Sequence, residues 1–315
     1  MNLDSQSKFD LIEYLHRQAV VVDRALERYL DYAGEQETIF RAVCYGVFPG
    51  GKRIRPILTL ATGELFGAAQ QNLLPVACAV ELIHAYSLIH DDLPALDDDD
   101  LRRGAPTAHK VFGEGMALLA GDGLLTEAFH LLSRPEVSGQ FAPDLAVKLI
   151  YELSSACGLA GLVGGQALDL EAEGKAADLA LVESIHRRKT GALICASIRL
   201  GAQVAGVDAD DLDRISRFGT SLGLAFQIAD DILDGLGESA AGEGAESAHL
   251  ELRKATYPAV AGMSRARARL TELMQTCLSE LAPYGGAATP LGEVARYVAT
   301  RALHADAKSP NEVKN

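Results

Sequence analysis

Six of the ten residues from 91 to 100 are aspartate (Asp91, Asp92, Asp97, Asp98, Asp99 and Asp100), and a second group, Asp230, Asp231 and Asp234, stands far downstream. Each group closes an apolar run with helical spacing. There the helix dipole already turns partial negative charge outward. The dipole and the neighbouring charges disfavour each carboxylate by a few tenths to about 1 kcal/mol. A single acidic run is ordinarily a solvated loop. Two runs, each after a long apolar segment and in a chain with strongly basic segments elsewhere, point to a cation held between them. All-oxygen, carboxylate-rich sites suit hard cations, above all Mg²⁺, which keeps several waters and bridges to phosphate groups.

Elsewhere the pattern is helical. Residues 9–30 read as an amphipathic helix, and another is predicted to open at Pro56 and stop near Gly67. From Leu73 to His90 the chain is apolar on nearly every face, the mark of a buried helix, with Glu81, His84 and Ser87 the exceptions. Further helices are predicted at 107–132, 143–172, 178–204, 210–235, 255–281 and 289–303. Strand periodicity is almost absent and no linker divides the chain; the most loop-like interior stretch is Glu238 to His249. The expectation is an all-α fold: one domain over residues 1–304, a bundle of ten or more helices around a central cavity, and a polar tail from 305 to 315. Facing helices of a bundle are a natural frame for metal sites.

Composition narrows the function. A net charge of −14 over 315 residues argues against nucleic-acid binding, which needs a basic footprint. Residues 1–10 are polar with no signal-like core, and no run of about 18 apolar residues is free of charge, so no membrane insertion is expected. The odd count of five cysteines, without C-x-x-C spacing, fits reduced thiols and a cytoplasmic protein.

In the second group Asp230 and Asp234 are four residues apart and Asp231 and Asp234 three, so all three can converge from one helix. In the first group Pro94 must interrupt the helix, so Asp97 reaches the cavity from a turn. The segment Pro49–Pro56 is basic: its glycines let the backbone approach an anion, and Lys52 and Arg55 can clamp a diphosphate. Arg102 and Arg103 read either as local charge balance or as arms on a phosphate, and Lys189-Thr190 is ambiguous by itself. His84 lies in an apolar helix, where a satisfied core histidine is the ordinary reading. It stands two turns before Asp91, on the same face, which favours ligand contact. No persuasive Ser–His–Asp or Cys–His arrangement is present.

The strings GGKRIRP (50–56), ELIHAYSLIHDDLPALDDDDLRRG (81–104), KTGAL (189–193), FQIADDILD (226–234) and KATYP (254–258) resemble the trans-isoprenyl diphosphate synthases, most of all the bacterial farnesyl diphosphate group. The resemblance runs from about residue 40 to 260 in unbroken order. It implies the isoprenoid synthase fold, a homodimer, and three Mg²⁺ ions bridging the two aspartate motifs to an allylic diphosphate. By position, Asp91, Asp92 and Asp97 would bind metal from one side, and Asp230, Asp231 and Asp234 metal or its waters from the other. Arg102, Lys189, Thr190 and Gln227 would face the allylic substrate; Lys52, Arg55, His84 and Arg103 would hold isopentenyl diphosphate. The implied reaction ionises the allylic diphosphate, and isopentenyl diphosphate then adds head to tail. Tyr86, five residues before Asp91 and so about 7.5 Å lower along the helix, would floor the product tunnel beside the small Ser87, giving mainly the C15 product. Longer (geranylgeranyl) and shorter (geranyl) products are the alternatives within the family.

One stretch departs from the family's pattern. Glu243-Gly244 stands where a Gly-Lys is usual, so a cation that touches the allylic diphosphate is missing, unless Lys254 reaches in to replace it. That departure motivates a different reading, a non-catalytic subunit that only binds prenyl diphosphates. A terpene cyclase is a third reading, but it needs no second diphosphate pocket and leaves Lys52, Arg55, His84 and Arg103 unexplained.

Overall fold

The apolar 73–90 run becomes the axis of the molecule. In the computed structural model, which describes residues 9–31, 37–48, 50–241 and 255–304, helix α4 (Gln70–Asp91) packs against α3 (Ile54–Leu65) and α6 (Glu114–Ser133) and is buried on nearly every side. Ahead of it come α1 (Leu11–Tyr29), capped by the Asp10 carboxylate accepting from the Glu13 amide at 3.0 Å, and α2 (Thr38–Val47). Then follow α5 (Ala108–Phe112), α7 (Pro135–Ser138), α8 (Pro143–Cys157), α9 (Leu162–Ala172) and α10 (Leu179–Ile185). A π-helical turn (His186–Gly191) leads into α11 (Ala192–Ala205), and α12 (Ala209–Ala241) is the longest element. The chain closes with α13 (Tyr257–Ala261), α14 (Met263–Leu281) and α15 (Thr289–Leu303). The expected all-α architecture is observed. The sheet among the described residues is one two-stranded pair, Leu101–Arg102 with Ala105–Pro106.

Two cores share a wall. One surrounds α4 and α6; the other lies among α12, α14 and α15. Helices α3 and α11 stand between, sending Leu60, Leu193 and Leu200 into the first core and Ile57, Ile194 and Ile198 into the second. Each such side chain contributes about 1.5–3 kcal/mol by leaving water. The wall is thin because Gly201 of α11 lies against the Thr59 carbonyl of α3, where any side chain would overlap.

Several predicted boundaries shift for local reasons. The 107–132 helix breaks at Gly113 (φ 86°), the 143–172 helix between Gly158 and Gly161, and the 255–281 helix at Gly262 (φ 82°). Helix α3 opens at Ile54 rather than Pro56, because Arg53 caps it in the left-handed conformation (φ 48°). Helix α2 and the strand pair were not expected. Two stretches, Gln70–Asp91 and Pro143–Ala172, are long and apolar enough to cross a membrane, but 78% of the first is buried inside the fold. The second is split into α8 and α9. The five cysteines are all unpaired. Gly244, Lys254 and the 305–315 tail lie outside the described residues.

Candidate active site

The first aspartate group is sorted by the way α4 ends. Beyond Asp91 the chain turns at Pro94 and returns, so that the Asp97 amide donates to the Asp91 carbonyl at 2.8 Å. Asp91 and Asp97 thereby stand together. Burial, then the neighbouring Asp97 and Asp92, push the Asp91 carboxyl up to about 6, against the pull of Lys189 and Arg102. The remaining acids face other partners. Asp92 is buried (3% exposed), and its two oxygens accept from Arg102 Nε at 2.7 and 2.9 Å. Asp100 pairs with Lys110 at 2.6 Å, and the Asp99 carbonyl accepts from the Thr107 hydroxyl.

The second group divides likewise. Asp230 turns toward the cavity, 4.0 Å from Arg301. Burial, with Asp234 and Asp231 adding to it, raises its carboxyl to about 6 despite Arg301 and Lys52. Asp231 is directed into the protein. It accepts from the Tyr257 amide at 2.8 Å and from Gln227 Nε2 at 3.1 Å, and lies 3.2 Å from His186 Nε2. Asp92 and Asp231, both expected among the metal-binding carboxylates, are therefore turned away from the cavity. The oxygens of each are taken up by donors of the protein itself. The expected convergence of Asp230, Asp231 and Asp234 does not extend to Asp231, since successive helix residues point about 100° apart.

Beside Asp230 lies a cavity of about 570 Å³ lined by Lys52, Arg55, His84, Arg103, Thr190 and Gln227, among others. Its basic wall is built by a clamp. Arg53 donates to Asp23 (2.8 Å), to Glu81 (2.6 Å) and to the Val47 carbonyl (2.7 Å), tying the loop before α3 to α1, α2 and α4. That anchorage holds Arg53 in its left-handed backbone and leaves Lys52 and Arg55 on either side of it at the cavity. Gly51 gives the Arg103 guanidinium room to lie against the loop, where it donates to the Gly50 carbonyl. Arg55 Nη1 donates to His84 Nε2 at 3.3 Å. Burial and then the surrounding arginines hold His84 well below the ordinary histidine range, so it is neutral and Nε2 is the acceptor. Lys52 lies over the Tyr297 ring of α15 at 5.4 Å, and Arg301 lies over the same ring at 5.8 Å.

The opposite wall comes from the π turn. Gly165 of α9 and Gly223 of α12 press on its backbone at Lys189 and Gly191, where a side chain on either glycine would overlap. Lys189 Nζ binds Asp169 at 2.6 Å; burial opposes its charge, but Asp169, Asp91 and Asp97 outweigh burial and raise it. The Thr190 hydroxyl donates to Gln227 Oε1 at 2.7 Å. Sequence reading missed Glu81, Asp169, His186, Tyr297 and Arg301. Their only signal was a polar residue inside an otherwise apolar helical stretch, as at Glu81, or proximity to a motif, as at His186. Tyr86 and Ser87 are buried in α4 below Asp91, outside the 570 Å³ cavity. Tyr86 packs edge-on against His90, and its hydroxyl is buried with no partner.

A basic cavity lined by Asp230, with Asp91 and Asp97 acting on the neighbouring Lys189, is the frame of a diphosphate enzyme, and comparison with known families agrees. The profile of the family described as Polyprenyl synthetase matches residues 36–282. The chain belongs to the polyprenyl synthetase family. It is 47% identical to the farnesyl diphosphate synthase of Escherichia coli (strain K12) over 287 residues, 89% of this chain and 95% of that one. It is also 47% identical to the farnesyl diphosphate synthase of Geobacillus stearothermophilus, over 82% of this chain and 86% of the relative. The crystal structure of a putative farnesyl-diphosphate synthase from Marinomonas sp. MED121 superposes with a TM-score of 0.80 at 39% identity, covering 93% of this chain and all of that one.

The donor set of this polyprenyl synthetase suits Mg²⁺. Among the described residues no three acidic, histidine or cysteine side chains form a ready-made cage. A cation held through one or two carboxylates plus substrate phosphates needs none. The raised carboxyls of Asp91 and Asp230 are what oxygen ligands awaiting a cation look like: burial makes their bare charge costly.

Proposed function

We propose that this polyprenyl synthetase condenses isopentenyl diphosphate with dimethylallyl and then geranyl diphosphate, head to tail, giving mainly farnesyl diphosphate. The observation that carries the reading is a cavity lined by Asp230 together with Lys52, Arg55 and Arg103, with Lys189, beside its lining residue Thr190, held in the field of Asp91 and Asp97. Two anionic substrates need two sets of counter-charge: Lys52, Arg55 and Arg103 supply one, and a cation held by the aspartates would supply the other.

Mg²⁺ held by Asp91, Asp97 and Asp230, with Asp234 beside them, would neutralise the charge that develops on the departing diphosphate. Lys189 supplies a fixed cation on the same side, and Arg102, whose guanidinium already binds Asp92, a second. Lys52, Arg55 and Arg103 hold the diphosphate of the incoming isopentenyl group, and neutral His84 orients Arg55. As the allylic C–O bond breaks, Thr190 Oγ and Gln227 Oε1 present oxygen lone pairs to the cation and offer it no strong nucleophile. The isopentenyl double bond forms the new C–C bond, and a proton then leaves for the released diphosphate.

The same reading includes a cytoplasmic homodimer acting through one catalytic unit across residues 1–304. Leu118, Leu119, Val147 and Tyr151 on α6 and α8 are 47%, 55%, 67% and 72% exposed, an apolar surface of the kind a second copy covers. The test is a comparison of purified wild type with Asp91→Asn and Asp230→Asn. Turnover requiring both diphosphates and Mg²⁺, and lost in both variants while the fold survives, is expected. Near-normal turnover in a chelator would contradict the reading.

A further inference from the structure

Asp231 sits beside the cation-facing carboxylate Asp230 yet is only 5% exposed, and it is not among the residues lining the cavity. Its surroundings form a two-rung ladder between the π turn and α12. On the upper rung Thr190 donates to Gln227 Oε1 at 2.7 Å; on the lower, His186 Nε2 lies 3.2 Å from Asp231 Oδ2. The side rail on α12 is Gln227 Nε2 to Asp231 Oδ1 at 3.1 Å. The Tyr257 amide, one of the free N–H groups opening α13, closes the set at 2.8 Å on Oδ2.

A glutamine amide has two faces of opposite polarity, and which one a cavity meets is decided by its neighbours. An ionised carboxylate only accepts. Asp231 therefore takes the NH₂ of Gln227 and forces Oε1 toward Thr190 and the cavity. Without that acceptor the amide can turn over and present N–H to the site. The Thr190 hydroxyl would then accept from it instead of donating, so Oε1 would leave the site and a Thr190 lone pair would be engaged by the amide.

We infer that Asp231 is a positioning residue and not a metal ligand: braced by His186 and the Tyr257 amide, it fixes the polarity of the Gln227–Thr190 pair toward the allylic carbon. The inference rests on the prenyl-transfer reading above. It also gives His186 a task and explains why the segment around Tyr257 is tied to the second aspartate motif.

The decisive comparison is Asp231→Asn against Asp230→Asn in the full chain. Turnover is followed through a Mg²⁺ titration, with Mg²⁺-dependent binding of an unreactive allylic thiolodiphosphate measured alongside. Removing one preorganised electrostatic contact costs about a hundredfold in kcat. Asp231→Asn should show that loss with the Mg²⁺ midpoint, both KM values and analogue binding within about twofold of wild type, the signature of an interaction made only in the transition state. Asp230→Asn should displace the Mg²⁺ midpoint. An Asp231→Asn midpoint displaced as far as that of Asp230→Asn, or an unchanged kcat, overturns the inference.

Should Asp231→Asn fail to fold, His186→Leu carries the test. It should lower kcat at an unaltered Mg²⁺ midpoint, and His186→Gln, which keeps a donor, should recover most of the loss; a displaced midpoint or an unaffected kcat in His186→Leu counts against it. A readout free of turnover is the side-chain NH₂ resonance pair of Gln227. It should be protected from exchange in the wild type and lose that protection in Asp231→Asn. If the protein transferred no prenyl group but this signal behaved as described, the functional reading would fall while the anchoring stood.

Discussion

Tyr86→Ala is the perturbation whose two consequences can be worked out separately. The ring is 4% exposed inside α4, and truncating a buried aromatic ordinarily costs about 3–5 kcal/mol. Here the phenol hydroxyl is buried without a partner, a penalty of about 1–3 kcal/mol that the truncation removes. The net loss should therefore centre on about 2 kcal/mol, a fall of several degrees in Tm for a chain of this size. Tyr86→Phe removes only the orphaned hydroxyl and should leave stability unchanged or raised. Product length separates the two variants in the same way. On the reading that this ring, about 7.5 Å below Asp91 along the helix axis, floors the product path, its loss should move the main product from C15 to C20 or beyond. The phenylalanine variant keeps the floor and the C15 product. The assay is chromatography of dephosphorylated products with dimethylallyl and isopentenyl diphosphates, beside thermal melts of all three proteins. An unchanged product from Tyr86→Ala refutes the floor assignment. Lengthening by Tyr86→Phe would show that the hydroxyl, not the ring, sets the limit.

Three further outcomes follow. Asp91 and Asp230 have folded-state values near 6 against 3.8 in an open chain, so their protonated forms stabilise the ligand-free fold; that contribution is full below about pH 4 and lost as pH rises through about 6. Protons and metal compete for the same oxygens, so the Mg²⁺ needed for half-maximal turnover should rise as pH falls through 6, and a flat profile between pH 5 and 8 would contradict this. Gly165→Ala should displace the π turn at Lys189 and lower kcat severely while α-helical circular dichroism persists; wild-type kcat would show that the turn tolerates the shift. Glu81→Leu leaves Arg53 without its buried partner and should cost about 3–5 kcal/mol in denaturant unfolding, and a loss below 1 kcal/mol would mean that Asp23 and the Val47 carbonyl suffice.

How much of this was legible in the sequence depends on range. The α4 axis, the all-α class and the two aspartate groups could be read because each is a local pattern: a period, an apolar run, a charge cluster. Helix breaks at Gly113 and Gly262 were missed because a single glycine within a periodic run is as often tolerated as it is a terminator. The division of labour within each Asp-Asp pair was illegible for a different reason. Adjacent carboxylates look alike in sequence, yet Asp92 meets Arg102 and Asp231 meets His186 and the Tyr257 amide, partners 10, 45 and 26 residues away. Arg55 was read as a diphosphate clamp, but nothing in the basic string showed that its neighbour Arg53, only 4% exposed, ties the loop to Asp23, Glu81 and the Val47 carbonyl.

Chain elongation at this cavity is tested most directly by one incubation. Purified protein is mixed with Mg²⁺, dimethylallyl diphosphate and isopentenyl diphosphate, and the products are resolved by length. A farnesyl (C15) product that needs both substrates and disappears with chelator is the predicted result. Binding of both diphosphates without any new carbon–carbon bond, or cyclisation of the allylic substrate alone, would contradict it.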